Sequence, residues 1–288
     1  YFQLEHDLEE LYTLWGQGCP RMNAVTNSLP GVRVLRQDPW ECLISFICSS
    51  NNNIKRITLM LDRLKRRYGN YVCSVVRSSP EDDFKVVIDP RPPVISANTV
   101  PQDIEVFLNQ DSANTIHLFD FPTIEDLARA EEADLRALGM GYRAKFIKGT
   151  AEKVLELGGL EWLEGLRTDS REKFAPKLKL EDEDSHTKDD SPIAKVAPKR
   201  GAKKKKNEAD AATTPHRLWV NEQLQMLPGV GRKVADCVAV FSLDQTESIP
   251  VAVHVWDIAV RDYSPDLQRA LSLTPAIYEQ VGDLFRER

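Results

Sequence analysis

The chain has 288 residues, 42% apolar and 28% charged, the make-up of a protein with a real hydrophobic core in one large or two modest domains. No stretch approaches the roughly 20 uncharged apolar residues of a membrane-spanning helix, and the acidic, amphipathic opening YFQLEHDLEELY reads as neither a secretory signal nor a transit peptide. A formal net charge of −6 excludes a global basic field, so contact with nucleic acid has to rest on locally placed cations.

Apolar residues at helical spacing (Leu4, Leu8, Leu11, Leu14, Trp15) predict an amphipathic helix over residues 3–15. A polar stretch with Gly31 follows. Pro39-Trp40-Glu41 then opens the apolar run ECLISFICSS, long enough for a buried helix. That run stops at Ser49-Ser50-Asn51-Asn52-Asn53, whose side chains compete for backbone hydrogen bonds and favour a turn or cap. Residues 54–68 resume as a basic amphipathic helix with Ile57, Met60, Leu61 and Leu64 on one side. Residues 71–120, rich in Pro and Val, read as an irregular excursion with a hairpin. Thr123 to Asp126 has the spacing of a capping box. Gly139 and Gly141 punctuate the chain before a helix over 142–157. Residues 168–215 carry an acidic block and then a basic one, Pro198 to Lys206, with few apolar side chains to offset the entropy of ordering, and read as a disordered linker. The basic block is either a solvated linker or an import signal and DNA tether. Beyond it come helix, tight hairpin and helix around LPGVGRK, then a segment from Val251 that begins strand-like and turns helical, then a last helix pair. This divides the chain into a first helical part, 1–167, a charged insertion, 168–215, and a second helical part, 216–288.

Five scattered cysteines, odd in number and without a CxxC, argue against a disulfide framework or structural zinc and for a reducing compartment. The most informative segment is Leu227 to Lys233. Gly229 and Gly231 permit positive φ and a close approach of another chain. The first amides of the following helix lack internal partners and lie at the positive end of its dipole, which makes an anion site that suits a phosphate. A bare PGxG would be a simple helix–helix turn; the first-turn lysine and the apolar helix behind it favour DNA. Lys233 itself reads either as a solvated surface residue or as a partly desolvated amine, of lowered pKa, poised as a nucleophile.

These segments resemble the helix-hairpin-helix DNA glycosylases, and among them the eukaryotic 8-oxoguanine DNA glycosylase/AP lyases. The resemblance is carried by YFQLEHDLEELY, GVRVLRQDPWECLISFICSSNNNIKRIT, LGMGYRAKFI, GGLEWL, LPGVGRKVADC and VHVWDIAVRDYS, and covers most of the chain outside 71–120 and 168–215. It implies an all-α fold of two helical sub-bundles flanking a cleft, with the helix-hairpin-helix at its mouth. It implies base excision repair of 8-oxoguanine opposite cytosine in double-stranded DNA, by a monomer needing no metal or organic cofactor, in the nucleus with a mitochondrial form open. Lys233 is implied as the group that attacks C1′ of a nucleotide taken out of the helix, forming a Schiff base. Asn51 is implied to fill the gap in the stack, Arg56 and Arg143 to bond the orphaned cytosine, Tyr142 to wedge the duplex and His254 to contact a phosphate. Cys237 and Pro250 are implied to line the base pocket.

The chain departs from the family at Ala252, where the resemblance implies a catalytic aspartate two residues before His254. Losing such a carboxylate costs about 10²- to 10⁴-fold in rate. The family's N-terminal β-rich domain and the C-terminal helix that walls the base pocket are expected to be missing from this sequence. Two readings stand beside the enzyme: a catalytically silent module that binds lesion DNA, and a helix-hairpin-helix scaffold with no lesion preference.

Overall fold

The structure, a computed structural model, describes residues 1–76, 83, 85–87, 115–167, 215–269 and 272–287. The charged insertion, including the basic block at 198–206, lies outside these residues. The opening helix, α1 (Leu8–Gly18), is capped by Asp7 and starts later than the apolar spacing predicts. A second helix, α2 (Pro20–Ser28), follows where the sequence reads only as polar. Its only buried residue is Thr26, so it has almost no apolar face for a periodicity to reveal. The predicted buried helix is α3 (Pro39–Ser49). Asp38 caps it by accepting the Glu41 amide at 2.8 Å, and Leu43, Ile44, Ile47 and Cys48 are buried. α4 (Ile54–Tyr68) has the expected bounds; Asn53 is its N-cap, and Met60 and Leu64 face the core.

Three strands, β1 (Tyr71–Val76), β2 (Lys85–Val87) and β3 (Thr115–Phe119), form an antiparallel sheet of order β2-β1-β3. An ordered sheet therefore stands in part of the region that reads as an irregular excursion. β3 pairs with β1 from about forty residues away (Val76 opposite Thr115, Tyr71 opposite Phe119), a partnership that local pattern does not reveal. Thr123 forms the predicted capping box of α5 (Ile124–Arg129) with Asp126. α6 (Glu132–Leu135) leads into a wide turn, Arg136–Met140, in which Gly139 holds φ 90°, and a 3₁₀ turn, Gly141–Arg143, precedes α7 (Ala144–Leu157). α8 (Gly159–Gly165) ends the first part. The second part contains α9 (His216–Leu224), α10 (Arg232–Ser242), α11 (Val253–Ile258), and α12 (Pro275–Arg286).

The described residues bury two apolar clusters. The larger gathers side chains from α3, α4, α5, α7, α8, α9 and α10, among them Leu43, Ile47, Leu64, Ile147, Trp162, Leu224 and Val238. The smaller joins Val251, Ala259, Leu267, Tyr278 and Val281, with Trp256 and Phe285 packed against it. Two cores match the expected pair of helical sub-bundles. α10 packs along α3. The segment entering α3 is tied to the far end of α10, because the Gln37 amide donates to the Phe241 carbonyl at 2.8 Å and Arg36 forks onto the Asp244 carboxylate. None of the described helices is long and apolar enough to cross a membrane.

Candidate functional site

The hairpin between α9 and α10 turns at Gly229, which holds φ 79°. A Cβ there would sit 2.6 Å from the Phe146 ring of α7, so both backbone and neighbour demand glycine. α7 grips the hairpin again where the Thr150 hydroxyl donates to the Pro228 carbonyl at 2.8 Å. Gly231 differs from the expectation of positive φ: it is extended (φ −93°, ψ 174°) and is the N-cap of α10. Nothing lies within 4 Å of where its Cβ would be, and no side chain caps the helix. The opening of α10 thus keeps clear space before its first amides, at the positive end of an 11-residue helix.

These two glycines predict different outcomes. Gly229→Ala is expected to lower stability by about 2–5 kcal/mol, from the left-handed backbone and the displaced ring together, read as a lower midpoint in urea. Gly231→Ala is expected to lower that midpoint far less, by about 1 kcal/mol or under, because its methyl group meets open space and only the N-cap preference is lost.

Lys233 is the second residue of α10. Its ammonium lies 6.0 Å from the centre of the Phe46 ring of α3, and its charge acts on the thiol of Cys237 one turn on. Lys233 is exposed over the residue as a whole, so the expectation of partial desolvation is corrected. Cys237 is buried, and burial pushes its thiol up to about 11 against the opposing pull of the Lys233 cation. The thiol is a neutral, shape-filling neighbour of the amine rather than a competing nucleophile. Phe46, which the sequence reading passes over, stacks on Phe241 at 5.6 Å and is the aromatic wall beside the amine. Its signal in the sequence is slight, one aromatic residue in a largely apolar run.

α3 carries this wall, and its C-terminal end runs into the asparagine turn. Asn51 is exposed at φ 48°, a left-handed conformation that asparagine tolerates better than most residues. The cap of α4 is Asn53, so Asn51 is not needed as a cap. Tyr142 and Arg143 hold the turn in place: the Tyr142 hydroxyl donates to the Ser50 carbonyl at 3.0 Å, and the Arg143 guanidinium donates to the carbonyls of Ser50 and Asn51. Arg143 is only 2% exposed and lies over the Tyr142 ring at 4.5 Å, so its guanidinium is spent on fixing the turn. Tyr142 remains 45% exposed and packs edge-on against Phe146. Arg56 is exposed in the first turn of α4. Phe146 therefore touches both the Tyr142 side of the turn and the hairpin glycine. The asparagine turn, the hairpin and the amine are linked through α3 and α7 into one constellation.

Pro250 is half-buried and His254 is exposed on α11. Ala252 is the N-cap of α11, extended at φ −106° and ψ 178°, and no side chain bonds the helix's first amides. Asp236 does not stand in for the expected carboxylate. It is buried and turned away, accepting the Asn221 amide at 2.7 Å and the Tyr278 hydroxyl at 2.6 Å, and burial pushes its carboxyl above the usual range. Asp257, also near in sequence, is exposed on α11.

Comparison with known proteins completes the description. Residues 44–275 match the profile of the HhH-GPD superfamily of base excision DNA repair proteins, and residues 1–43 match that of the N-terminal domain of 8-oxoguanine DNA glycosylase. The N-glycosylase/DNA lyase OGG1 of Arabidopsis thaliana is 34% identical over 99% of this chain and 55% of its own length. The N-glycosylase/DNA lyase of Saccharomyces cerevisiae is 32% identical over 91% of this chain and 50% of its own length. The chain thus spans about half the length of these relatives. Among solved structures, the apo 8-oxoguanine glycosylase/lyase of Clostridium acetobutylicum superposes over 100% of this chain and 67% of its own, with TM-score 0.59 and 21% identity. The same enzyme bound to double-stranded DNA with cytosine opposite 8-oxoguanine superposes with TM-score 0.58. At that identity the likeness is one of fold.

Proposed function

This chain belongs to the HhH-GPD superfamily of base excision DNA repair proteins, and from that premise we propose that it acts on double-stranded DNA carrying 8-oxoguanine opposite cytosine, as a glycosylase and AP lyase with Lys233 as its nucleophile. The observation that carries this reading is the placement of the Lys233 amine. It stands in the first turn behind a glycine-bent hairpin, beside the Phe46 ring, on the helix packed along the one that ends at Asn51. The curated relatives, described as N-glycosylase/DNA lyases, point the same way.

The open N-terminus of α10 binds a backbone phosphate through its amides. Tyr142, exposed and braced from behind by Phe146, wedges the duplex, and Asn51 enters the gap left by the extruded nucleotide. Arg56 approaches the orphaned cytosine. Arg143 acts first on Asn51 by bonding its carbonyl, and meets the cytosine only if it leaves that position. His254 contacts a phosphate near the lesion, and Cys237 and Pro250 bound the base. The exposed Lys233 ammonium first gives its proton to solvent, and the lone pair so freed forms a bond to C1′ as the bond from C1′ to the base nitrogen breaks. The base departs with that electron pair and takes up a proton. Ring opening of the sugar gives the Schiff base, and loss of a C2′ proton expels the 3′ phosphate and nicks the strand.

Ala252 weakens the base-departure step, because no carboxylate stands there to stabilise the positive charge growing on the sugar. This observation favours the second reading, a module that binds lesion DNA without turnover. Borohydride reduction in the presence of 8-oxoguanine duplex separates the two. A covalent adduct supports the enzyme, binding without an adduct supports the module, and equal affinity for undamaged duplex removes both. We place the protein in the nucleus as a monomer, with a mitochondrial form open; fluorescence imaging of the tagged protein and sedimentation check these assignments.

A further inference from the structure

α10 and the corner before α11 belong to different apolar clusters, yet a reaction at C1′ needs Lys233 on one and position 252 with His254 on the other to keep a fixed separation. One hydroxyl bonds both of them directly. Tyr278 of α12 is 8% exposed; its O–H donates to Asp236 Oδ2 at 2.6 Å, and its oxygen accepts the Val251 amide at 3.1 Å. Asp236 lies three residues after Lys233 on α10, and its other oxygen is held by Asn221 at 2.7 Å. Val251 immediately precedes Ala252, the N-cap whose carbonyl accepts the first hydrogen bond of α11, from the Trp256 amide at 2.9 Å. The Val251 amide therefore sets where the Cβ of residue 252 and the His254 side chain stand relative to α10. The Arg232 guanidinium lies 4.8 Å over the Tyr278 ring and is ion-paired with Glu279, which clamps the ring against the first turn of the same helix.

A purely space-filling role would not need the hydroxyl, since phenylalanine occupies the same volume in the apolar cluster. Burying a hydroxyl and a carboxyl together carries a desolvation penalty, visible in burial pushing both groups above their ordinary ranges. Spacing is what the arrangement gains.

We propose that Tyr278 is a positioning residue whose hydroxyl fixes the distance between the Lys233 helix and the corner carrying position 252 and His254. The proposal rests on the function proposed above and adds a residue to it. It is tested on the chain with duplex containing a preformed abasic site, where base departure, the step that Ala252 weakens, is not required but His254 still has to hold the neighbouring phosphate at a fixed distance from the Lys233 amine. Tyr278→Phe keeps the ring under Arg232 and removes only the hydroxyl. At saturating duplex its rate of borohydride-trapped adduct formation is expected to fall about tenfold or more, because small misplacements of reacting groups are costly in rate, while duplex Kd stays within about twofold. Asp236→Asn, which keeps an acceptor for the hydroxyl, is expected to hold the rate within about threefold. An unchanged rate in Tyr278→Phe overturns the proposal, as does a parallel loss of rate, affinity and melting temperature. A fall in Asp236→Asn equal to that in Tyr278→Phe, with both variants folded, assigns the effect to the carboxylate charge and overturns it too. No adduct from the unsubstituted chain overturns the functional reading itself, which is a different result from equal adduct in both.

Discussion

Replacing Lys233 with glutamine is expected to abolish the borohydride-trapped adduct, a loss of more than about 10³-fold, in the range seen when a covalent nucleophile is removed. Glutamine keeps most of the side chain's length and its contact with Phe46, but its amide nitrogen has no free lone pair for C1′. Duplex affinity should change little, because one cation among several phosphate contacts contributes modestly. The same substitution has a second readout. The Lys233 cation holds the Cys237 thiol, at about 11, below where burial alone would leave it. Without that cation the thiol rises further, so the thiolate fraction at any given pH falls and alkylation of Cys237 slows. An adduct that persists in Lys233→Gln removes the residue from its role. An adduct lost together with duplex affinity shows that the lysine binds rather than reacts.

Ala252→Asp is expected to raise excision of 8-oxoguanine by about 10²- to 10⁴-fold, the range for a carboxylate that stabilises charge developing in the transition state. The position also makes a structural prediction. Ala252 is the N-cap of α11 with the extended backbone that a capping residue adopts, and it now leaves the helix's first amides without a side-chain partner. Aspartate there accepts one of them and adds about 1 kcal/mol of stability. Ala252→Asn separates the two effects, since asparagine caps about as well but carries no charge. Its melting temperature should rise with that of Ala252→Asp while excision stays low. Adduct formation with a preformed abasic site should respond far less to either variant, because the base has already left. Equal excision by the alanine and aspartate forms would show that position 252 has no part in base departure.

Local sequence was a good guide wherever a structural demand is met within one turn of chain. The bounds of α4, the opening of α3 at Pro39 and the capping box of Thr123 and Asp126 are of this kind. So is the left-handed corner at Gly229. Of the small sheet, the hairpin of β1 and β2 was legible, but the third strand was not, because β3 pairs with β1 across a long intervening segment. Nor was α2, which buries a single polar residue and so leaves no apolar period in its sequence.

The site divides in the same way. The residue types themselves determined the chemistry on offer: an amine in the first turn of a helix behind a hairpin, an amide-rich turn, and an alanine where the resemblance calls for a carboxylate. Those follow from side-chain chemistry and dihedral preference, which act over a few residues. Tertiary structure alone decided that Arg143 is buried on the backbone of Ser50 and Asn51, that Phe46 stands beside the amine, and that Tyr278 joins Asp236 to Val251. Each of these contacts joins residues from different helices or connecting segments, and which ones meet depends on how α3, α7, α10 and α12 share their buried faces. Hydrophobic burial is non-directional. It drives the helices together, but which polar partners face one another is selected only once they have packed.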